Sequence, residues 1–416
     1  MKLEVVTVGT ELLLGFTLDS NGADLGQTLA AAGIEIVRRT TVADRPDAIR
    51  AAIAQAMERT GTVITTGGLG PTADDMTKEI VAELLGRPLV LDPAALAAIE
   101  DRFRKLGRWP MPAVNRRQAE VPAGATVLPN PRGTAPGLLI EDAGRLVILL
   151  PGVPREMRGL LRDEVVPRLV RRAADAASRV VRSRTVRTTG VAESTLAERV
   201  ASVESGIAPL TLAYLPSVLG VDLRLTAWDL EREDAESRLT AAARRLAAAA
   251  GEDAYGEDDA DLAAVVLERL RGRAWRLGVA ESCTGGLIGE RITAVPGASD
   301  TFVGGVVAYA DAVKTAALNV PAEAIAAHGA VSEDTVRAMA EGAQRVFASE
   351  AAVAVTGIAG PGGGTPEKPV GTVWLAARAG TETRAVRRLL VGDRAEIRAR
   401  AAQAALDLLR RMLAPA

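Results

Sequence analysis

The strongest constraint on the fold is a rhythm of short apolar runs, each ending near a turn and followed by a helical pattern. Leu3 to Gly9 reads as a buried strand and Asn21 to Ala32 as a helix closed by Gly33. Ile34 to Val42 and Asp47 to Arg59 repeat the pair. Val63 to Thr66 then stops at Gly67-Gly68, ahead of helical patterns over Thr72 to Leu85 and Pro93 to Leu106. Regular succession of strand, turn and helix predicts a parallel sheet with helices on both faces. Ligands in such folds sit beyond the carboxyl ends of the strands, where these turns fall.

The first unit closes near Arg171, and 416 residues are too many for one ordinary core. From 178 to 250 the pattern changes. A strand over Arg182 to Thr189, a helix from Glu193, strands at Leu210 to Leu215 and Gly220 to Trp228, and a helix to Ala250 predict a small α+β module. Residues 251–261 are acidic and glycine-bearing and read as a linker. From Leu262 to residue 416 a helix, a strand at Trp275 to Ala280, more helices and three late strands predict a second α/β domain. The expected division is therefore 1–172, 178–250, 251–261 and 262–416.

Composition narrows the chemistry. A net charge of −2 gives no field for a polyanion, so no nucleic acid is expected as partner. No apolar run approaches the ~20 residues that span a bilayer, and the first residues carry no signal-peptide pattern. A cytoplasmic protein without a membrane partner is expected. The single cysteine, Cys283, and single histidine, His328, exclude thiolate zinc clusters and multi-histidine metal sites. Any metal would sit on oxygen ligands.

In the last domain, Ala280-Glu-Ser-Cys-Thr-Gly-Gly286 follows a strand and opens a helical pattern, Leu287 to Thr293. Small hydroxyl residues and glycines there suit backbone N–H groups that meet a phosphate or an oxyanion. They equally suit a plain N-cap, by Ser282 or Thr284, and a turn. Phe302 to Tyr309 reads as a strand with Lys314 one turn into the next helix. Ala352 to Gly364 is a strand running into a Gly/Pro loop, and Gly371-Thr-Val-Trp374 begins another strand. These strand ends can converge on one sheet edge.

The blocks Ala280 to Gly286, Val306-Val-Ala-Tyr-Ala310 with Lys314, His328-Gly-Ala-Val-Ser332, Thr356-Gly-Ile-Ala-Gly-Pro361 and Lys368-Pro-Val-Gly-Thr-Val373 resemble the C-terminal domain of the CinA family. The resemblance implies hydrolysis of nicotinamide mononucleotide to nicotinic acid mononucleotide and ammonia, without a cofactor. It places the nucleophile on Ser282, with Tyr309 and Lys314 beside it and Ser299 and Thr356 lining the site. A serine needs a base, and a buried lysine can serve. Backbone N–H groups near Gly285, Gly286 or Gly357 suit the oxyanion, and Thr284 is a further candidate substrate contact. Arg394 or Arg398 suits the phosphate, a role open to Lys314 as well. A Cys283–His328 pair is the competing nucleophile; it lacks an identifiable third, orienting group.

In the first domain, Gly9 to Gly15, Asp19-Ser-Asn21, Thr66 to Asp75, Asn130 to Gly137 and Leu150 to Met157 form a ring of turns suited to a phosphorylated ligand. Thr10, Asn21, Gly67, Gly68, Gly70, Thr72, Lys78 and Thr134 are candidate ligand contacts. Glu11, Asp74, Asp75 and Glu156 are candidate metal ligands. Asp74 and Asp75 also fit the first turn of a helix capped by Thr72. The Thr65 to Asp75 run with Lys78, and Asn130-Pro-Arg-Gly-Thr-Ala-Pro136, resemble the molybdopterin-binding-like N-terminal domain of the CinA family, a three-layer α/β fold. For that family the domain implies ADP-ribose pyrophosphatase activity with a divalent metal (Mg, Mn or Co) and potassium. The middle module resembles the family's KH-type domain, yet no Gly-x-x-Gly clamp for nucleic acid lies between 178 and 250. A homodimer acting in pyridine-nucleotide salvage is the expectation. A molybdopterin binder and a non-catalytic competence-related interaction protein are the rivals.

Overall fold

A computed structural model describes residues 1–174 and 179–413; the expected onset of the middle module at Ser178 and residues 414–416 lie outside them. The chain forms two compact units, one of residues 1–183 with 227–237 and one of 184–226 with 238–416. Among the described residues no helix is long and apolar enough to cross a membrane.

The first unit carries β1 (Lys2–Val8), β2 (Glu35–Val42), β3 (Thr62–Thr66), β4 (Leu89–Leu91), β5 (Glu120–Pro122), β6 (Thr126–Leu128), β7 (Gly137–Asp142) and β8 (Arg145–Leu150). Six of these form one sheet in the order β2-β1-β3-β8-β7-β6, while β4 and β5 make a separate ribbon. The sheet is parallel from β2 to β8, but β7 and β6 are antiparallel, so it is mixed rather than wholly parallel. The cause is local. Asp142 faces Arg145 across Ala143-Gly144, and both turn residues take positive φ, the geometry of a two-residue hairpin.

Alternate residues face opposite sides of this sheet. Val63, Val147 and Leu149 pack with Ile49 and Ile53, whereas Ile64, Ile148 and Leu150 pack with Leu25, Leu29 and Leu160. Each fully buried side chain of this kind contributes roughly 1.5–3 kcal/mol. Two buried faces make three layers. Helix Ser20–Ala31 is started by Asp19, whose carboxylate accepts from the Gly22 N–H at 2.7 Å. The helix expected from Thr72 begins instead at Thr77, where the chain returns to the sheet. Thr77 N–H donates to the Gly68 carbonyl, and its buried hydroxyl to that of Gly67 at 3.0 Å.

The middle module supplies β9 (Arg179–Thr188), β10 (Thr211–Pro216), β11 (Val221–Glu231) and β12 (Ala254–Glu257), in the order β10-β11-β9-β12. Residues 251–261, expected as a linker, are folded. Ala254–Glu257 forms the edge strand against β9, and Asp253 is buried between Arg199 and Arg411, at 2.6 and 2.7 Å. Among the acids that suggested a solvated linker, Glu252, Asp253 and Glu257 are ion-pair partners.

The C-terminal sheet contains β13 (Leu277–Glu281), β14 (Phe302–Val307), β15 (Ala351–Gly357), β16 (Thr372–Ala379) and β17 (Glu382–Leu389), in the order β14-β13-β15-β16-β17. β14, β13 and β15 are parallel, and β16 and β17 continue antiparallel. Leu277, Val279, Val353 and Leu375 pack under helices Leu262–Arg271 and Arg394–Met412. Ala280, Ala352, Ala354 and Ala376 take the other face, against helix Glu333–Val346. The carboxyl ends of the three parallel strands therefore meet at one edge.

Candidate active site

That edge holds a cavity of about 220 Å³ lined by Ser282, Cys283, Tyr309, Lys314, Thr356, Gly357 and Arg394, among others. Ser282 follows β13 directly and is pinned by its N–H, which donates to the Val355 carbonyl of β15 at 2.9 Å. Lys314, only 1% exposed, donates to the Tyr309 carbonyl at 3.3 Å and to the Asp311 carboxylate at 3.1 Å. Arg394 starts the last helix, which carries a full capping box of Asp393 and Glu396. Its guanidinium donates to the Gly360 carbonyl at 2.6 Å and to the Tyr309 hydroxyl at 3.0 Å. Tyr309 is otherwise 60% exposed at the rim. The Thr356 hydroxyl is spent on the Ala330 carbonyl at 2.8 Å, so Thr356 holds the opposite wall.

The turn after Ser282 is organised by a residue to which the sequence reading assigned no role. Glu281 is 1% exposed, and its carboxylate accepts from the N–H groups of Gly286, Ile288 and Gly289 at 3.0, 3.1 and 2.9 Å. An internal carboxylate thus occupies the start of helix Leu287–Thr293, and Gly286 N–H is not free for a ligand. Gly285 N–H is likewise turned inward, to the Ser282 carbonyl. Gly285 and Gly286 serve the turn through positive φ, at 60° and 96°. Within the turn, the N–H groups of Cys283 and Thr284 donate to no other described residue. Asp311 was missed too; its signal was the acid–lysine spacing of three at a helix start.

Other expected members fall away from the cavity. Ser299 is exposed in the short turn Ala298–Asp300 that precedes β14, at the amino end of the sheet and opposite the cavity. Arg398 is taken by the Thr284 carbonyl, at 2.7 and 3.3 Å, leaving Arg394 as the arginine that lines the cavity. The cysteine–histidine pair is not assembled. Burial pushes the Cys283 thiol up to about 11, and His328 lies exposed beside Asp334 at 3.6 Å, outside the cavity lining.

In the first unit the candidates are largely satisfied by one another. Thr10 donates through its N–H and its hydroxyl to Asp44, at 2.8 and 2.9 Å, and Glu11 beside it is exposed. Thr72 donates likewise to Asp75, so both close a loop and neither opens a helix. Gly70 leaves the room that Asp75 fills, and a Cβ on Gly67 would strike the Val8 carbonyl. Lys78 is buried against the Arg117 carbonyl, with its ammonium held below the ordinary lysine range by desolvation. Glu156 accepts from Asn130 at 2.6 Å and sits against Gly133; burial raises its carboxyl above the usual range. Asp74 is exposed. Among the described residues no three acidic, histidine or cysteine side chains gather as a metal would need, so Glu11, Asp74, Asp75 and Glu156 do not form the expected set. Thr134 lines a separate cavity of about 820 Å³ beside Asn130 and Arg102. Asn21 bridges Thr66 and the Gly152 carbonyl at 3.0 and 2.7 Å, while its buried Oδ1 has no partner.

Three family models match successive stretches of the chain: a probable molybdopterin binding domain over residues 4–171, the damage-inducible protein CinA KH domain over 183–256, and the CinA C-terminal domain over 259–413. A CinA-like protein of Gemmatimonas aurantiaca is 55% identical over 415 residues, covering 100% of this chain and 97% of the relative. A CinA-like protein of Gloeobacter violaceus is 46% identical over 411 residues, 98% of this chain and 96% of the relative. Among solved structures, the protein CinA of Thermoplasma acidophilum, described as of unknown function, is 38% identical with a TM-score of 0.38. It covers 41% of this chain and 97% of its own.

Proposed function

The chain belongs to the CinA family, and from that membership we propose that its C-terminal domain hydrolyses the amide of nicotinamide mononucleotide, giving nicotinic acid mononucleotide and ammonia. The observation that carries this reading is the convergence of Ser282, Tyr309, Lys314 and Arg394 on one cavity.

In this reading the Ser282 hydroxyl adds to the carboxamide carbon as its proton passes to Lys314, acting as the base. The carbonyl oxygen gains charge facing the N–H groups of Cys283 and Thr284. The protonated lysine returns the proton to the nitrogen, ammonia leaves, and water cleaves the serine ester to free the acid. Arg394, at the rim with Tyr309, takes the phosphate. No metal enters these steps. Ammonia release from nicotinamide mononucleotide by purified protein with EDTA present tests the proposal. Turnover is expected, and none from folded protein, with or without metal restored, would reduce the cavity to a binding site.

A second reading concerns the first unit, where the buried Asn21 Oδ1 lacks a partner at the strand ends. It is that this domain cleaves ADP-ribose to AMP and ribose 5-phosphate. The divalent metal and potassium expected for that activity find no assembled carboxylate set among the described residues. AMP release from ADP-ribose tests it, and tight molybdopterin binding without turnover would favour the rival. A cytoplasmic homodimer in pyridine-nucleotide salvage completes the proposal. The exposed apolar run of Leu13, Leu14, Phe16 and Leu18 is the surface that such an assembly would cover.

A further inference from the structure

A second cavity lies within the second unit, where the middle module meets the C-terminal domain. At about 680 Å³ it has the size of a small-molecule site, and it shares no lining residue with the cavity around Ser282. On one wall, Val386 and Arg388 occupy alternate positions of β17 and so present one face, with Leu390 just past the strand's end. On the next, Arg400 and Gln403 stand one helical turn apart on helix Arg394–Met412. The turns at Thr189–Ala192 and Val218–Gly220 close the opposite side.

The charges in this cavity are unevenly satisfied. Asp253 and Asp407 are held by Arg199, Arg410 and Arg411 at 2.6–2.7 Å, and Glu252 pairs with Arg411 at 2.7 Å. By contrast, Arg388 donates only to the Arg387 carbonyl, at 3.4 Å, and neither Arg388 nor Arg400 has a carboxylate partner among the described residues. The Arg400 Nε is buried without an acceptor. Gln403 is 3% exposed, and both its amide nitrogen and its oxygen lack partners. Buried polar atoms are almost always paired, so an orphaned carboxamide beside unpaired guanidiniums needs an explanation. A bound ligand supplies one. Guanidiniums match phosphate oxygens, and a carboxamide, with donor and acceptor side by side, matches the edge of adenine.

The geometry points to a second binding site in this cavity, for an adenine nucleotide, with its phosphate on Arg388 and Arg400, its base edge on Gln403, and Leu375 and Val386 against the ring. Calorimetric titration of the full chain with AMP, and separately with inorganic phosphate, tests it. Both bind. Arg388→Leu and Arg400→Leu each weaken both probes about tenfold or more, the scale of a lost charge-assisted contact. Gln403→Leu weakens AMP by about as much and leaves phosphate unchanged. Arg388 is exposed, so its substitution leaves the fold intact even if Arg400→Leu does not fold. Failure of both probes to bind, or binding indifferent to Arg388→Leu, overturns the site. Phosphate binding with AMP no tighter, and indifferent to Gln403→Leu, overturns the nucleotide.

Discussion

The two ends of this molecule carry comparable densities of glycine turns and polar motifs, and fold them to different ends. At the C-terminal edge, Ser282, Lys314 and Arg394 come together around a cavity. In the first unit the equivalent groups turn inward: Thr72 to Asp75, Thr10 to Asp44, Asn130 to Glu156 and Lys78 to the Arg117 carbonyl. Internal matching alone therefore does not separate a site from a strut, since Lys314 and Arg394 have partners as well. What sets the C-terminal edge apart is the one cavity that Ser282, Lys314 and Arg394 line together.

The sharpest way to break that contrast is Ser282→Ala. If the C-terminal edge is the reacting centre, ammonia release falls by about 10³-fold or more, since a missing nucleophile is not replaced by its neighbours. Cys283→Ala, one residue on, keeps activity within a few-fold, because a buried thiol held near 11 supplies no thiolate at neutral pH. Equal losses in the two variants would return the thiol to the mechanism.

Next in size is Glu281→Gln. The carboxylate accepts three backbone N–H groups, and an amide turns an NH2 toward donors it cannot accept from. Losing bonds to a buried charge costs roughly 2–3 kcal/mol, and the Ser282 turn moves with them. Lower thermal stability together with lower kcat is expected. An unchanged kcat in a destabilised protein would detach the turn from the chemistry. Arg394→Met acts more narrowly: KM for nicotinamide mononucleotide rises roughly tenfold to a hundredfold with kcat less affected, as expected for lost phosphate binding. A fall in kcat at constant KM would give that arginine a different role.

How much of this was legible follows the range of the interactions. The strand-and-turn rhythm placed β1, β3, β13 and β15 because each buried strand is a local apolar run ending at a marked turn. The antiparallel additions β7 and β17 were not foreseen, since a hairpin through Ala143-Gly144 carries only a weak signal. Ser282, Lys314 and Arg394 could be named from motifs, but the choice between Arg394 and Arg398 depended on which one the Thr284 carbonyl captures, a contact across 114 residues. Glu281 was in plain view inside its motif. Its role needed the turn of the following helix, which brings three N–H groups back onto its side chain. Asp253 read as solvated because its partners, Arg199 and Arg411, lie 54 and 158 residues away.

The smallest expected effect separates strut from ligand in the first unit. Burial lifts the Glu156 carboxyl above its ordinary 4.5, so the folded state holds the proton more tightly than the unfolded chain. The stability this contributes is present below 4.5 and is lost as pH rises through the folded-state value. Glu156→Gln keeps an oxygen for the Asn130 amide and removes the titration. The variant therefore gains on the parent in melting temperature as pH climbs from acid to neutral, by a modest margin because the carboxyl is only partly desolvated. If Glu156 is a strut, AMP release from ADP-ribose is unchanged by the substitution. If the carboxylate holds a metal in the working enzyme, AMP release collapses while the melting curve shifts as described, and the satisfied loop becomes a resting form of a real site.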